Sequence, residues 1–281
     1  MVLQKRVNLQ MVCIVEIISI GNELLIGKTA NSNAQWLARR FTSLGGQVRR
    51  IIVVGDALDE ISSVLEDSLS RKPSLIITTG GLGPTFDDMT LEAIAQTLKA
   101  PLSINEEALK MVREKYHQYE ATTGKKIDLT PARLKMATLP KGAVPLPNPA
   151  GTAPGVLLKA RESRIIALPG VPMEMEAIFE GSVEPLVREA AGDVFICDRS
   201  LKVTEIMESA LAPLIDEAIH DNPHVYIKSH PKASEPHPWI ELHLMTASES
   251  KDTAEKRVEA AAEKISQLIL EHGGKVVPLK L

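Results

Sequence analysis

The chain has 281 residues, of which 44% are hydrophobic, 24% charged and only 3% aromatic, with a formal net charge of −4. That length can bury a sizeable aliphatic core in one large or two smaller domains. The acidic balance, the absence of a Lys/Arg run and the scarcity of aromatic rings argue against a nucleic-acid partner. No stretch reaches the roughly 18 uncharged apolar residues of a membrane-spanning helix.

The opening segment "MVLQKRVNLQMV" lacks the apolar centre of a signal peptide. Met11 stands just before the first strand and is expected to be the native start, with residues 1–10 an extension; an intact-mass measurement tests this. Cys13 and Cys197 lie too far apart for a disulfide framework or a cysteine zinc motif, and a reducing cytoplasm is the expected location. "VCIVEIISIG", Val12 to Gly21, is a β-branched run ending at glycine and predicts a buried strand. "SNAQWLARRFTSLGG" spaces Leu37, Phe41 and Leu44 for a helix stopped by Gly45 and Gly46. "VRRIIVVGD" predicts the second strand, "LDEISSVLEDSLS" a helix with Ile61, Val64, Leu65 and Leu69 on one face, and "SLIITTGG" the third strand. Strands apolar on both faces, alternating with helices, predict a mostly parallel sheet in a three-layer α/β/α sandwich.

Helices are expected over Leu91–Leu98, over Glu106–Tyr119 behind an Asn105 cap, and after a Thr130 cap with Pro131 at the first helical position. "LPKGAVPLPNPAGTAPG" holds five prolines and three glycines and reads as a long loop, a kind more often functional than idle. "VLLKARESRIIALPGVP" predicts a hairpin, and Pro172 opens a helix toward Ala190. Beyond Gly192 the order β-α-β-β-α-β predicts a small ferredoxin-like α+β domain, with helices Glu205–His220 and Lys251–His272. The expected domains are 11–191 and 192–281. His224, His230, His237 and His243 fit no metal-ligand spacing.

"TTGGLGPTFDDMT", Thr78 to Thr90, is the segment that suggests chemistry. It follows a buried strand, at the sheet edge where open α/β folds bind ligands. Gly80, Gly81 and Gly83 lack Cβ atoms, so backbone N–H groups can approach an anion, and a helix N-terminus follows. Asp87 and Asp88 would repel a phosphate unless a cation lies between them. Mg²⁺, held by one or two carboxylates plus substrate phosphates, resolves the conflict; the plainer reading is that one of them caps the helix. The pattern is neither a Walker loop nor a dinucleotide fingerprint.

Together with "ISIGNELLIGKTANSNAQWLARRF", "VVGD", "PNPAGTAPGV" and "LPGVPMEM", in this order, the loop resembles the CinA (competence/damage-inducible protein) family, and specifically its molybdopterin-binding-like MoaB/Mog domain. The resemblance implies a pocket for a nucleotide or pterin phosphate lined by Thr79, Gly80, Gly81, Gly83 and Thr85. It also implies a catalytic and metal-holding role for Asp88 and Asp56, with Asp87 beside them. The further candidates are Glu23, which faces the same edge; Asn33, which matches the asparagine of the family's Thr-Asn pair; Asn148, Gly151 and Thr152 in the Pro/Gly-rich loop, expected to cover the ligand; and Glu174 in the first turn of a helix. Capping also explains Asp56, loop fixation Glu23, and the helix dipole Glu174. Asn22 stands where the family usually carries Asp, which weakens a metal role there. The resemblance does not reach the deamidase domain of many members, so deamidase activity is not expected. It implies metal-dependent hydrolysis of a nucleotide pyrophosphate such as ADP-ribose, with Mg²⁺ or another divalent cation as cofactor. The alternatives are molybdopterin binding or adenylyl transfer in molybdenum cofactor synthesis, or a non-catalytic nucleotide-binding regulator. A homo-oligomer is expected.

Overall fold

The computed structural model describes residues 13–192, 194–232 and 238–279. The expectations for Met11, residues 1–10 and His237 lie outside the described residues. The chain divides into two compact units, one holding 12–42 and 46–191, the other built on 192–281.

The larger unit begins with β1 (Ile14–Ile20), a short α1 (Asn22–Leu25), α2 (Ser32–Ser43), β2 (Gln47–Val54), α3 (Leu58–Ser70) and β3 (Leu75–Thr79). After the glycine loop come α4 (Thr90–Leu98), β4 (Leu102–Ile104), α5 (Glu106–Thr123), α6 (Pro131–Lys135), β5 (Thr138–Pro140) and β6 (Val144–Leu146). β7 (Gly155–Ala160) and β8 (Ser163–Leu168) form the expected hairpin, and α7 (Pro172–Ile178) continues through a π-helical turn, Phe179–Val183, into α8 (Glu184–Ala191). The sheet order is β2-β1-β3-β8-β7-β6, with β2, β1, β3 and β8 parallel, β7 antiparallel to β8, and β6 antiparallel to β7. The ribbon of β4 and β5 stands apart from it.

Alternation along the strands sends side chains into two cores. Ile18, Ile76 and Ile165 pack with Ile61 and Leu65 of α3, Ile94 of α4 and Leu109 of α5. Ile17, Ile77 and Ile166 are equally buried. Trp36 and Phe41 of α2 each meet Phe179 edge-to-face, at centroid distances of 5.2 and 5.1 Å, a favoured aromatic geometry. A charged group is built into this core: Glu16 of β1 is fully buried and accepts from Arg71 (2.7 and 2.8 Å) and from the Ser68 hydroxyl (2.8 Å). Burial favours its neutral form, but those donors outweigh burial and hold the carboxyl below its ordinary range.

Three local expectations change. β2 is not apolar on both faces in effect: it forms the sheet edge, with Ile51 and Val53 exposed. Asn105 does cap α5, accepting from Ala108 N–H at 3.0 Å, but Thr130 makes no side-chain cap on α6. The 139–155 stretch contains β5 and β6 rather than loop alone.

The smaller unit runs β9 (Phe195–Thr204), α9 (Glu208–Asp221), β10 (Tyr226–Lys232), β11 (Trp239–Ser248), α10 (Lys251–Glu271) and β12 (Lys275–Leu279). Its antiparallel sheet has the order β10-β11-β9-β12, with Leu242, Leu244 and Val203 buried against Leu211 of α9 and Ile265 of α10. This is the ferredoxin-like order.

Candidate functional site

β1, β3 and β8 run parallel, so their carboxyl ends, Ile20, Thr79 and Leu168, share one edge. The connections leaving that edge enclose a cleft of about 470 Å³, within the size range of small-molecule sites. Five carboxylates line it: Glu23, Asp56, Asp87, Asp88 and Glu174. No Lys, Arg or His does.

The glycine loop forms one wall. Gly80 has φ +110°, and a Cβ there would press on the Ile20 carbonyl oxygen; its N–H donates to Leu168 O at 3.0 Å. Gly80 lines the cleft as expected, but its amide is committed to the sheet and is not a donor for an anion. Gly81 has φ +68°, and a Cβ would meet the Thr90 hydroxyl. Thr90 fastens the loop by donating its O–H to Gly80 O (2.7 Å) and its N–H to Gly81 O (3.2 Å). The N–H groups of Gly81, Leu82 and Gly83 carry no hydrogen bond among the described residues, and all three residues line the cleft. Leu82 therefore replaces Gly80 in the set of free donors that the sequence suggested.

Neither aspartate caps α4, whose N-cap position is Met89 with no side-chain bond. Asp88 instead accepts from the Thr85 N–H at 2.8 Å and from its hydroxyl at 2.5 Å, and Asp87 also accepts from that hydroxyl. Two carboxylates thus converge on one O–H proton. The Thr85 hydroxyl holds the Asp87 carboxyl below its ordinary range. Lys135 does not line the cleft; it donates to Thr85 O at 2.9 Å and lines an adjoining cavity with Gly81–Gly83 and Asp88. Asp56 does not cap α3 either. It accepts from Asn22 N–H at 2.8 Å, while Asn22 Oδ1 lies 3.4 Å from the Asp56 amide. The neutral Asn22 adds no charge beside it. Glu23 makes no side-chain hydrogen bond among the described residues.

The other candidates divide. Thr152 lines the cleft, but Asn148 and Gly151 act behind it. Asn148 is 6% exposed, donates to Ala153 O and Glu174 (2.7 Å), and accepts from the N–H groups of Ala150 and Gly151. It shapes the 147–154 loop and holds Glu174 in place. Thr79 donates to Pro169 O and accepts from Asn33, whose amide also donates to Gly170 O at 2.9 Å. Asn33 and Thr79 line a smaller adjoining cavity of about 100 Å³. Asn33 Oδ1 is buried there without a partner among the described residues. Gly170, Val171 and Met136 also line the main cleft and were not singled out from sequence. The signal for Gly170 and Val171 was their position after β8, at the same edge as the glycine loop.

Among the described residues no three His, Cys, Asp or Glu side chains converge closely enough to hold a metal by themselves. Mg²⁺ needs fewer: one or two carboxylates, with water and phosphate oxygens completing an all-oxygen shell. The donors of this cleft are oxygens, and its unbalanced negative charge fits such an ion.

Residues 16–189 match the family described as probable molybdopterin binding domain. A protein of Pyrobaculum calidifontis is 47% identical over 254 residues, covering 90% of this chain and 94% of its own. One from Aeropyrum pernix is 42% identical over 261 residues, covering 92% and 95%. Among solved structures, CinA of unknown function from Thermoplasma acidophilum is 42% identical, covers 62% of this chain and 98% of its own, and superposes with a TM-score of 0.56.

Proposed function

This chain belongs to the probable molybdopterin binding domain family and is CinA-like over that domain, and from that premise we propose that its cleft hydrolyses a nucleotide pyrophosphate, ADP-ribose or a related dinucleotide, with a divalent cation. The carrying observation is the pairing of free amides at Gly81–Gly83 with five carboxylates and no cationic side chain. Amides bind phosphate oxygens; the carboxylates oppose the same phosphate unless a cation joins them.

Asp88 and Asp56 would hold the ion, which when bound neutralises phosphate charge and polarises the phosphoryl group. The chain's own residues do the rest. Gly81, Leu82 and Gly83 orient the phosphate through preformed donors. Thr85 fixes the directions of Asp87 and Asp88. No histidine lines the cleft, so a carboxylate takes the proton of the attacking water. Glu23, free of internal hydrogen bonds, is the assigned base, while Glu174 is held by Asn148 and positions the substrate. The P–O–P bond breaks and the bridging oxygen leaves with the second phosphate.

A panel of nucleotide diphosphates with and without Mg²⁺, Mn²⁺ or Co²⁺ tests the reading. AMP and ribose phosphate should form from ADP-ribose only with the ion. Tight nucleotide binding without turnover under any ion refutes it in favour of a regulator. The family's own description favours a second reading, binding of molybdopterin, with adenylyl transfer to it as the reaction. Release of pyrophosphate from ATP only when molybdopterin is present would select that one.

A further inference from the structure

A second cleft, of about 370 Å³, lies between α5, the 147–154 loop and the turn Phe179–Val183. Its walls are apolar, with Met111, Pro147, Pro149, Pro154 and Ala177. Polar side chains in its lining keep unused donors, Lys115, Gln118 and Ser182 among them. Lys115 is half-buried, donates to the Pro149 carbonyl at 2.7 Å, and pairs with no carboxylate among the described residues. The Ser182 hydroxyl and the Gln118 amide have no hydrogen-bond partner among the described residues. The one acid in the lining, Glu114, pairs with Lys110 at 3.9 Å and not with Lys115. Ser182 reaches the cleft from a π-helical turn, a distortion that recurs at functional sites.

We propose that this cleft is a small-molecule site separate from the acidic one, and that it takes an organic anion: a carboxylate, sulfonate or phosphate on an apolar body. An ammonium with only a carbonyl partner offers the charge, the serine and glutamine offer donors for the anion's oxygens, and the proline and methionine walls take the body. Its charge preference is opposite to that of the carboxylate-lined cleft. The proposal stands apart from the pyrophosphatase reading and survives that reading's failure.

The two clefts share the 147–154 loop. Thr152 lines both, and Asn148 on the second side holds Glu174 of the first. Lys115 ties the same loop through Pro149.

The test uses the full chain and the fluorescent probe 8-anilino-1-naphthalenesulfonate, an anion on an apolar body. Wild type should bind one equivalent saturably. Lys115→Met should weaken binding at least fivefold, Lys115→Arg should restore it, and Ala177→Trp should abolish it by filling the space without touching the Lys115 tether. Met173→Ser, an exposed change outside the lining of either cleft, should leave it unaltered. Thermal melts confirm that each variant is folded. No saturable binding, or binding unchanged by both Lys115→Met and Ala177→Trp, overturns the proposal. So does loss in Met173→Ser alone.

Discussion

Gly80→Ala asks whether that glycine serves a ligand or the fold. A Cβ at this position would lie under 3.0 Å from the Ile20 carbonyl oxygen, and φ is +110°, where an L side chain is strained. Ile20 is the last residue of β1, between β2 and β3, and the Gly80 amide is bonded to Leu168 O, so neither partner can withdraw freely. Backbone strain of about 1–3 kcal/mol and a forced local shift of similar size give about 3 kcal/mol of destabilisation in ligand-free protein. Gly124→Ala is the control: its φ is +69°, but nothing lies within 4 Å of the added carbon, and about 1 kcal/mol is expected. Trp36 belongs to the larger unit and Trp239 to the smaller, so a Trp239→Phe background lets Trp36 fluorescence follow the larger unit alone. At about 2–4 °C per kcal/mol for a unit of this size, Gly80→Ala should lower its Tm by roughly 6–12 °C. A variant within about 0.5 kcal/mol of the parent that nonetheless loses nucleotide binding refutes the packing argument and returns Gly80 to the ligand.

Three further outcomes follow from the same geometry. Asp88→Asn keeps an acceptor for the Thr85 N–H and hydroxyl but loses its charge, so metal-dependent turnover should fall by about 100-fold or more with an unchanged melt; wild-type rates would reduce Asp88 to a loop brace. The Glu16 carboxyl is depressed in the folded state, so its stabilisation is present above the ordinary value of 4.5 and is lost as pH falls through the folded value. Glu16→Gln, which strands Arg71, should cost about 3 kcal/mol at pH 7 and progressively less below pH 4; urea melts at the two pH values decide it. Burial pushes the Cys13 thiol up to about 11, so at pH 8 Cys13 should resist iodoacetamide in the native protein and react fully in urea, as peptide mass mapping will report.

The parallel core was legible because continuous apolar strands alternating with amphipathic helices admit few other arrangements. What remained hidden depended on neighbours. "VRRIIVV" carries the composition of a central strand, yet β2 lies at the edge with Ile51 half exposed; a hydrophobic run does not say how many partners it has. The helix from Pro172 was readable, but its π-helical turn was not, because no side-chain pattern distinguishes one extra backbone residue. Glu23, Asp56, Asp87 and Asp88 could be placed at one sheet edge from strand order and Glu174 only at a helix start, yet all five line one cleft. Which glycine amides remain free could not be read, since that follows from the bond of Gly80 to Leu168, far along the chain.

The loop's internal bonds also bear on how the site can work. Thr90 fastens Gly80 and Gly81, Thr85 fastens Asp87 and Asp88, and Asn148 fastens Glu174. The frame around the Gly81–Gly83 amides is therefore held by the chain's own bonds, which limits the ordering that opposes binding. The remaining barrier is electrostatic: the carboxylates that a cation would join repel a phosphate arriving alone. On the proposed reading, a rigid frame with this charge imbalance makes ion and phosphate binding mutually dependent, each strengthening the other by the same factor, with no movement of the loop required.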